Sequence, residues 1–95
     1  MTLSFSDKNK ITGEAFRNIG YMDKLEIFYS NISDYVLRYL NNVKELHLIK
    51  CPNITDTGLE NLLEGSVKTL YIYGCSNTIL GVTHLIQRGI KVYHT

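Results

Sequence analysis

Two cysteines and two histidines are the side chains in this sequence best suited to covalent or metal chemistry. Cys51 and Cys75 each stand five residues after a leucine, Leu46 and Leu70. If those leucines occupy equivalent places on neighbouring strands, the sulfurs lie one strand spacing apart, about 4.8 Å, and a disulfide is geometrically possible. A zinc site would need two more ligands, with His47 and His84 as candidates. His47, one residue from Leu46, should point to the face opposite Cys51, which spoils convergence. The expectation is therefore that both cysteines pack as small hydrophobes in a stack of turns, with no metal and no cofactor.

Catalysis finds no constellation to rest on. No Ser–His–Asp set and no glycine-rich phosphate motif is present, and neither cysteine has a base and an orienting group at a recognisable spacing. Asp34 and Asp56 follow Ser33 and Thr55, where a carboxylate favours the first turn of its own helix. The seven glycines fall mostly at turns and helix ends, where backbone freedom explains them. No enzyme is expected.

The elements that position these residues recur. Leu3-Ser4-Phe5, Leu25-Glu26-Ile27, Leu46-His47-Leu48 and Leu70-Tyr71-Ile72 begin successive segments spaced by 22, 21 and 24 residues. Ile90-Lys91-Val92 follows 20 residues after Leu70 as a final half-copy. Each triplet alternates apolar and polar side chains, the pattern of a short strand with one buried face. A turn follows, such as Lys50-Cys51-Pro52-Asn53 or Gly74-Cys75-Ser76-Asn77. Thr12, Ser33 and Thr55 then stand before helical apolar patterns, where a hydroxyl can cap free N–H groups. The copy that opens at Leu70, with its helix start Thr78-Ile79-Leu80-Gly81, lacks the Thr-Asp pair and reads as a degenerate penultimate unit. A unit this small cannot bury its own apolar face, so stacking makes the core. Periods of about 20–29 residues carrying L-x-L predict leucine-rich repeats. The expected fold is α/β: a single domain over residues 1–95, a short solenoid of about four and a half units, with a parallel sheet on the concave side and helices on the convex side.

Val43 to Leu59 carries a more specific pattern. Leu46, Leu48, Cys51, Ile54, Thr55, Asp56, Gly58 and Leu59 stand at the offsets of the cysteine-containing leucine-rich repeat, which this segment resembles. The unit opening at Leu70 keeps Leu70, Ile72 and Cys75; the unit opening at Leu25 keeps Leu25, Ile27, Ile32 and Asp34, with Ser30 at the cysteine offset. Proteins of that family are best known as substrate-recognition parts of F-box ubiquitin-ligase adaptors, so the resemblance implies an intracellular, cytoplasmic or nuclear, protein-binding module. It does not extend to an F-box, since no separate helical segment is expected before Leu3. A shorter resemblance, to small mitochondrial coupling factors built from similar repeats, implies an assembly subunit.

Bulk properties agree with a protein partner. The formal charge is +1, which gives no field to steer the chain onto nucleic acid or an anionic membrane. No apolar run approaches the ~20 residues that span a bilayer, and the start has no signal-peptide pattern. Two cysteines are too few for a disulfide-stapled miniprotein and are expected as free thiols in a reducing compartment.

The strand faces then define the candidate site. With the leucines pointing inward, alternation exposes one column of Glu26, His47, Tyr71 and Lys91 and a second of Phe28, Ile49, Tyr73 and Tyr93. Aromatic and apolar side chains on an exposed face mark a protein interface; coverage by the chain's own ends and plain strand preference for Tyr are the competing explanations. The alternative function is a structural fragment that self-associates weakly through exposed repeat ends.

Overall fold

The computed structural model describes residues 2–6, 21–40, 42–75 and 78–94. Thr12 and the Ile11 to Ile19 pattern lie outside the described residues. Five strands, β1 (Thr2–Ser6), β2 (Met22–Phe28), β3 (Val43–Ile49), β4 (Thr69–Tyr73) and β5 (Lys91–His94), form one sheet. Every neighbouring pair is parallel, and the strands lie in chain order. Leu3 pairs with Leu25, Leu25 with Leu46, and Leu46 with Leu70. The sequence spacing predicts these pairs, because an in-register parallel sheet places equivalent residues side by side.

Parallel strands need crossover connections, and helical turns supply those after β2, β3 and β4. They are a 3-10 segment at Asp34–Leu40, an α-helical turn at Asp56–Leu59 running into a 3-10 turn at Glu60–Leu62, and an α-helix at Ile79–Gln87. The shortest of these crossovers holds the seven-residue 3-10 segment, whose larger rise per residue covers the sheet with fewer residues than an α-helix.

All of these segments bury apolar residues against the same face of the sheet. Leu25, Ile27, Leu46, Leu48, Leu70 and Ile72 meet Val36, Leu37, Leu40, Leu59, Leu62, Val82 and Leu85 in one cluster. Met22, Val43 and Val67 join it from three residues before Leu25, Leu46 and Leu70, completing an L-x-x-L-x-L pattern. The opposite face carries the alternate strand residues, half-buried.

Strands β2, β3 and β4 end on the same backbone device. Tyr29, Lys50 and Gly74 directly follow β2, β3 and β4 and all have positive φ, 52°, 53° and 69°. The left-handed residue turns the chain out of the sheet and brings Ser30, Cys51 and Cys75 to equivalent positions. Of the three, only Gly74 adopts this conformation without a side-chain penalty.

The Ile79–Gln87 helix ends in a Schellman arrangement. Gly89 N–H donates to Ile86 O, and Ile90 N–H to Leu85 O, with Gly89 at φ 91°. Ile90 is buried with Leu85 in the cluster. This corrects the expected register of the tail. Ile90 closes the helix instead of opening the strand, so Val92, not Ile90, pairs with Leu70. The shift is by two residues, so alternation along β5 is preserved while its positions along the columns change. No described helix is long and apolar enough to cross a membrane.

Candidate functional site

The register builds the outer face column by column. The central column reads Ser4, Glu26, His47, Tyr71 and Tyr93. One flank reads Lys24, Glu45, Thr69 and Lys91, and the other Phe28, Ile49 and Tyr73. Two expected positions are thereby corrected. Lys91 stands beside Thr69 rather than Tyr71, and Tyr93 stands beside Tyr71 rather than Tyr73. The cause is the Gly89–Ile90 helix cap.

Three residues of the corrected column form a stack of rings. His47 and Tyr71 lie 4.2 Å apart at 11°, and Tyr71 and Tyr93 lie 4.5 Å apart at 13°. Parallel strands about 4.8 Å apart set this spacing, and a slight tilt closes the rings onto each other. The stack restricts the rotamers of all three side chains, so little ordering remains to be done when another surface meets them.

The polar flank holds one end of the stack. His47 Nε2 is 2.8 Å from Glu45 Oε2, and Lys24 Nζ is 3.9 Å from the same oxygen. At the other end the Lys91 ammonium sits 5.4 Å from the Tyr93 ring centre. The Tyr93 hydroxyl holds that ammonium above the usual lysine range. Phe28, Ile49 and Tyr73 remain half-buried on the apolar flank. At its end Lys50 Nζ lies 5.4 Å from the ring centre of Tyr29, which is itself 56% exposed. The arrangement offers ring edges, an apolar strip and charges of both signs.

The residues best suited to covalent or metal chemistry are distributed differently. Cys51 is fully buried and Cys75 half-buried. The Cys51 thiol donates toward Ile27 O and Ile49 O, each at 3.7 Å, and Cys75 toward Leu48 O at 3.6 Å. His47 lies on the outer face, whereas His84 Nδ1 sits 2.5 Å from Glu60 Oε1 on the helical layer. The two histidines and two cysteines therefore do not converge. The thiols do interact: hydrogen bonding with Cys51 lowers the Cys75 pKa to about 7, and the same interaction together with burial raises that of Cys51.

Asp34 and Asp56 stand in the first turns of their own helical segments, as expected, and also bond to the following unit. Asp34 accepts from the Thr55 N–H at 2.7 Å and from the Thr55 hydroxyl at 2.5 Å. Asp56 accepts from the Gly81 N–H at 2.7 Å. The expected capping by the Thr55 hydroxyl is thus corrected, because no side-chain cap bond is made to its own helix. Ser33 contributes its carbonyl, which accepts from Val36 N–H. The expectation for Gly58 and Gly81 is corrected as well. A Cβ at Gly58 would collide with the Asp34 carboxylate, and one at Gly81 would stand 2.9 Å from Leu59 Cβ. Close approach between units, not turn geometry, requires glycine there. Gly58 stands 24 residues after Asp34 and Gly81 25 residues after Asp56, and that recurring spacing is the signal available in the sequence.

Comparison of the chain with protein-family models, curated proteins and solved structures finds no match.

Proposed function

We propose that the chain is a short leucine-rich repeat solenoid that binds a partner protein through the outer face of its parallel sheet. The observation that carries this reading is the His47–Tyr71–Tyr93 stack, rigid and bordered by Phe28, Ile49 and Tyr73. Ordered aromatic groups beside an apolar strip, with charge at the margin, have the composition of a binding hot spot. The repeat assignment is supported by the in-register leucines, the recurring left-handed strand ends and the single layer of helical segments. In this reading the sheet is the concave side, the helices form the convex side, and the sheet face acts by recognition rather than by catalysis. The resemblance of Val43 to Leu59 favours an intracellular recognition role like that of F-box adaptors, with a mitochondrial assembly subunit as the less favoured form.

The test is capture of partners from cell extract by the immobilised chain and by a Phe28→Ala/Tyr71→Ala/Tyr73→Ala variant. Loss of a hot-spot side chain costs about 2 kcal/mol or more, roughly 30-fold in affinity, so the triple variant should lose its specific partners while its circular dichroism is unchanged. Undiminished capture would sink the reading.

A second reading, self-association through a repeat end, is favoured by Ile79 and Ile86. These side chains are 86% and 50% exposed on the Ile79–Gln87 helix, beside a groove of about 140 Å³. Sedimentation of the wild type and an Ile79→Glu/Ile86→Glu variant separates the two. Concentration-dependent association abolished by the charges supports self-assembly, and a monomer at all concentrations excludes it.

A further inference from the structure

We propose that Cys51 and Cys75 are a thiol–disulfide site, in which Cys75 reacts with small disulfides and Cys51 resolves the product into an internal bridge between neighbouring turns. The partner-binding reading makes no use of these residues. Register places them together. Ile49 pairs with Tyr73, and each cysteine follows two residues later, after a residue of positive φ. The same backbone turn therefore presents both residues from adjacent strands, whose backbones run about 4.8 Å apart. That spacing falls inside the roughly 4.4–6.8 Å window of Cα separations that a disulfide bridges. Both thiols are free and point at the last carbonyls of β3, Cys75 toward Leu48 O and Cys51 toward Ile49 O.

Burial distinguishes the two roles. Cys51 is fully enclosed, out of reach of a soluble reagent. Cys75 is half-buried and lines the open groove between the end of β4 and the Ile79–Gln87 helix, with Ile72, Val82 and His94. A small disulfide reaches Cys75 by that groove. The more exposed thiol ionises first, and the enclosed one keeps its proton, in line with the opposite shifts of the pair.

The chemistry balances in two exchanges. The Cys75 thiolate attacks one sulfur of a small disulfide RSSR, forming Cys75–S–S–R and releasing RS⁻, which takes up a proton. Cys51 then gives up its proton and attacks the Cys75 sulfur, breaking the Cys75–SR bond and releasing the second RS⁻. The dithiol is oxidised by two electrons, and RSSR is reduced to two RSH.

The experiment equilibrates the reduced, folded chain with oxidised glutathione near neutral pH, quenches with acid and reads the intact mass and disulfide map. The wild type should lose two hydrogens, retain no glutathione and stay monomeric. Cys51→Ala should stop at one glutathione on Cys75, and Cys75→Ala should react at least tenfold more slowly. A wild type that keeps its adduct, forms linked dimers or oxidises only in denaturant overturns the proposal. Cys51→Ser serves if the alanine variant fails to fold. In addition, limiting iodoacetamide on the untouched wild type should label Cys75 at least tenfold faster than Cys51; equal rates overturn the assignment of roles.

Discussion

Asp34 shows how a single side chain acts between units. Its two carboxylate oxygens accept the Thr55 N–H and hydroxyl, so truncation leaves two partly buried donors without their acceptor. An unsatisfied buried donor costs about 1–3 kcal/mol. Asp34→Ala should therefore lower the urea midpoint by that amount of stability with little change in slope; an unchanged midpoint would show the bonds to be dispensable. At Cys75 the relevant variable is pH. Its pKa is lowered to about 7 by the hydrogen bond with Cys51, and the thiolate fraction rises as pH climbs through that value. Alkylation of Cys75 in the folded chain should follow a titration centred there, and Cys51→Ala should move the midpoint upward toward the ordinary thiol range. A midpoint unaffected by that substitution would mean the two thiols are not coupled.

The elements are held by two kinds of glycine, and substitution distinguishes them. Gly89 has φ 91°, and a Cβ added there would meet open space, with no atom within 4 Å. Gly89→Ala therefore meets only the left-handed backbone penalty of about 1–2 kcal/mol. Gly58 has its conflict with the Asp34 carboxylate instead. Gly58→Ala should cost less in an Asp34→Ala background than in the wild type, and additive effects in the double-mutant cycle would contradict that origin. Much of this scale is legible in the sequence. The pairs Leu25–Leu46 and Leu46–Leu70 follow from spacing alone, because equivalent apolar positions in a parallel stack sit side by side. The tail register does not, because Ile90-Lys91-Val92 has the same alternation as a strand opening. What distinguishes it is tertiary: Ile90 packs on Leu85 and donates its N–H to Leu85 O. The role of Thr55 is hidden for a related reason, since a hydroxyl before a helix looks like a cap until a carboxylate from the preceding unit accepts its hydrogen bond.

Over the whole molecule, the sheet divides the chain into a packed side and an open one. The division is readable from L-x-L alternation, and so are Glu26, Phe28, His47, Ile49, Tyr71 and Tyr73 as outward residues. The ring stack is not, because Tyr93 joins it only in the register that the helix cap imposes. If the open face, rather than the helical layer, meets a partner protein, the position of a crosslinker decides whether the partner is caught. The most direct measurement places a photo-crosslinking residue at Thr69, between Glu45 and Lys91 on the outer face, and separately at Thr57, exposed on the helical side. A discrete crosslinked protein is expected from Thr69 and none from Thr57, with the Thr69 product lost in the Tyr71→Ala variant. Crosslinking of the same protein from Thr57 alone, or equally from both positions, would contradict binding through the sheet.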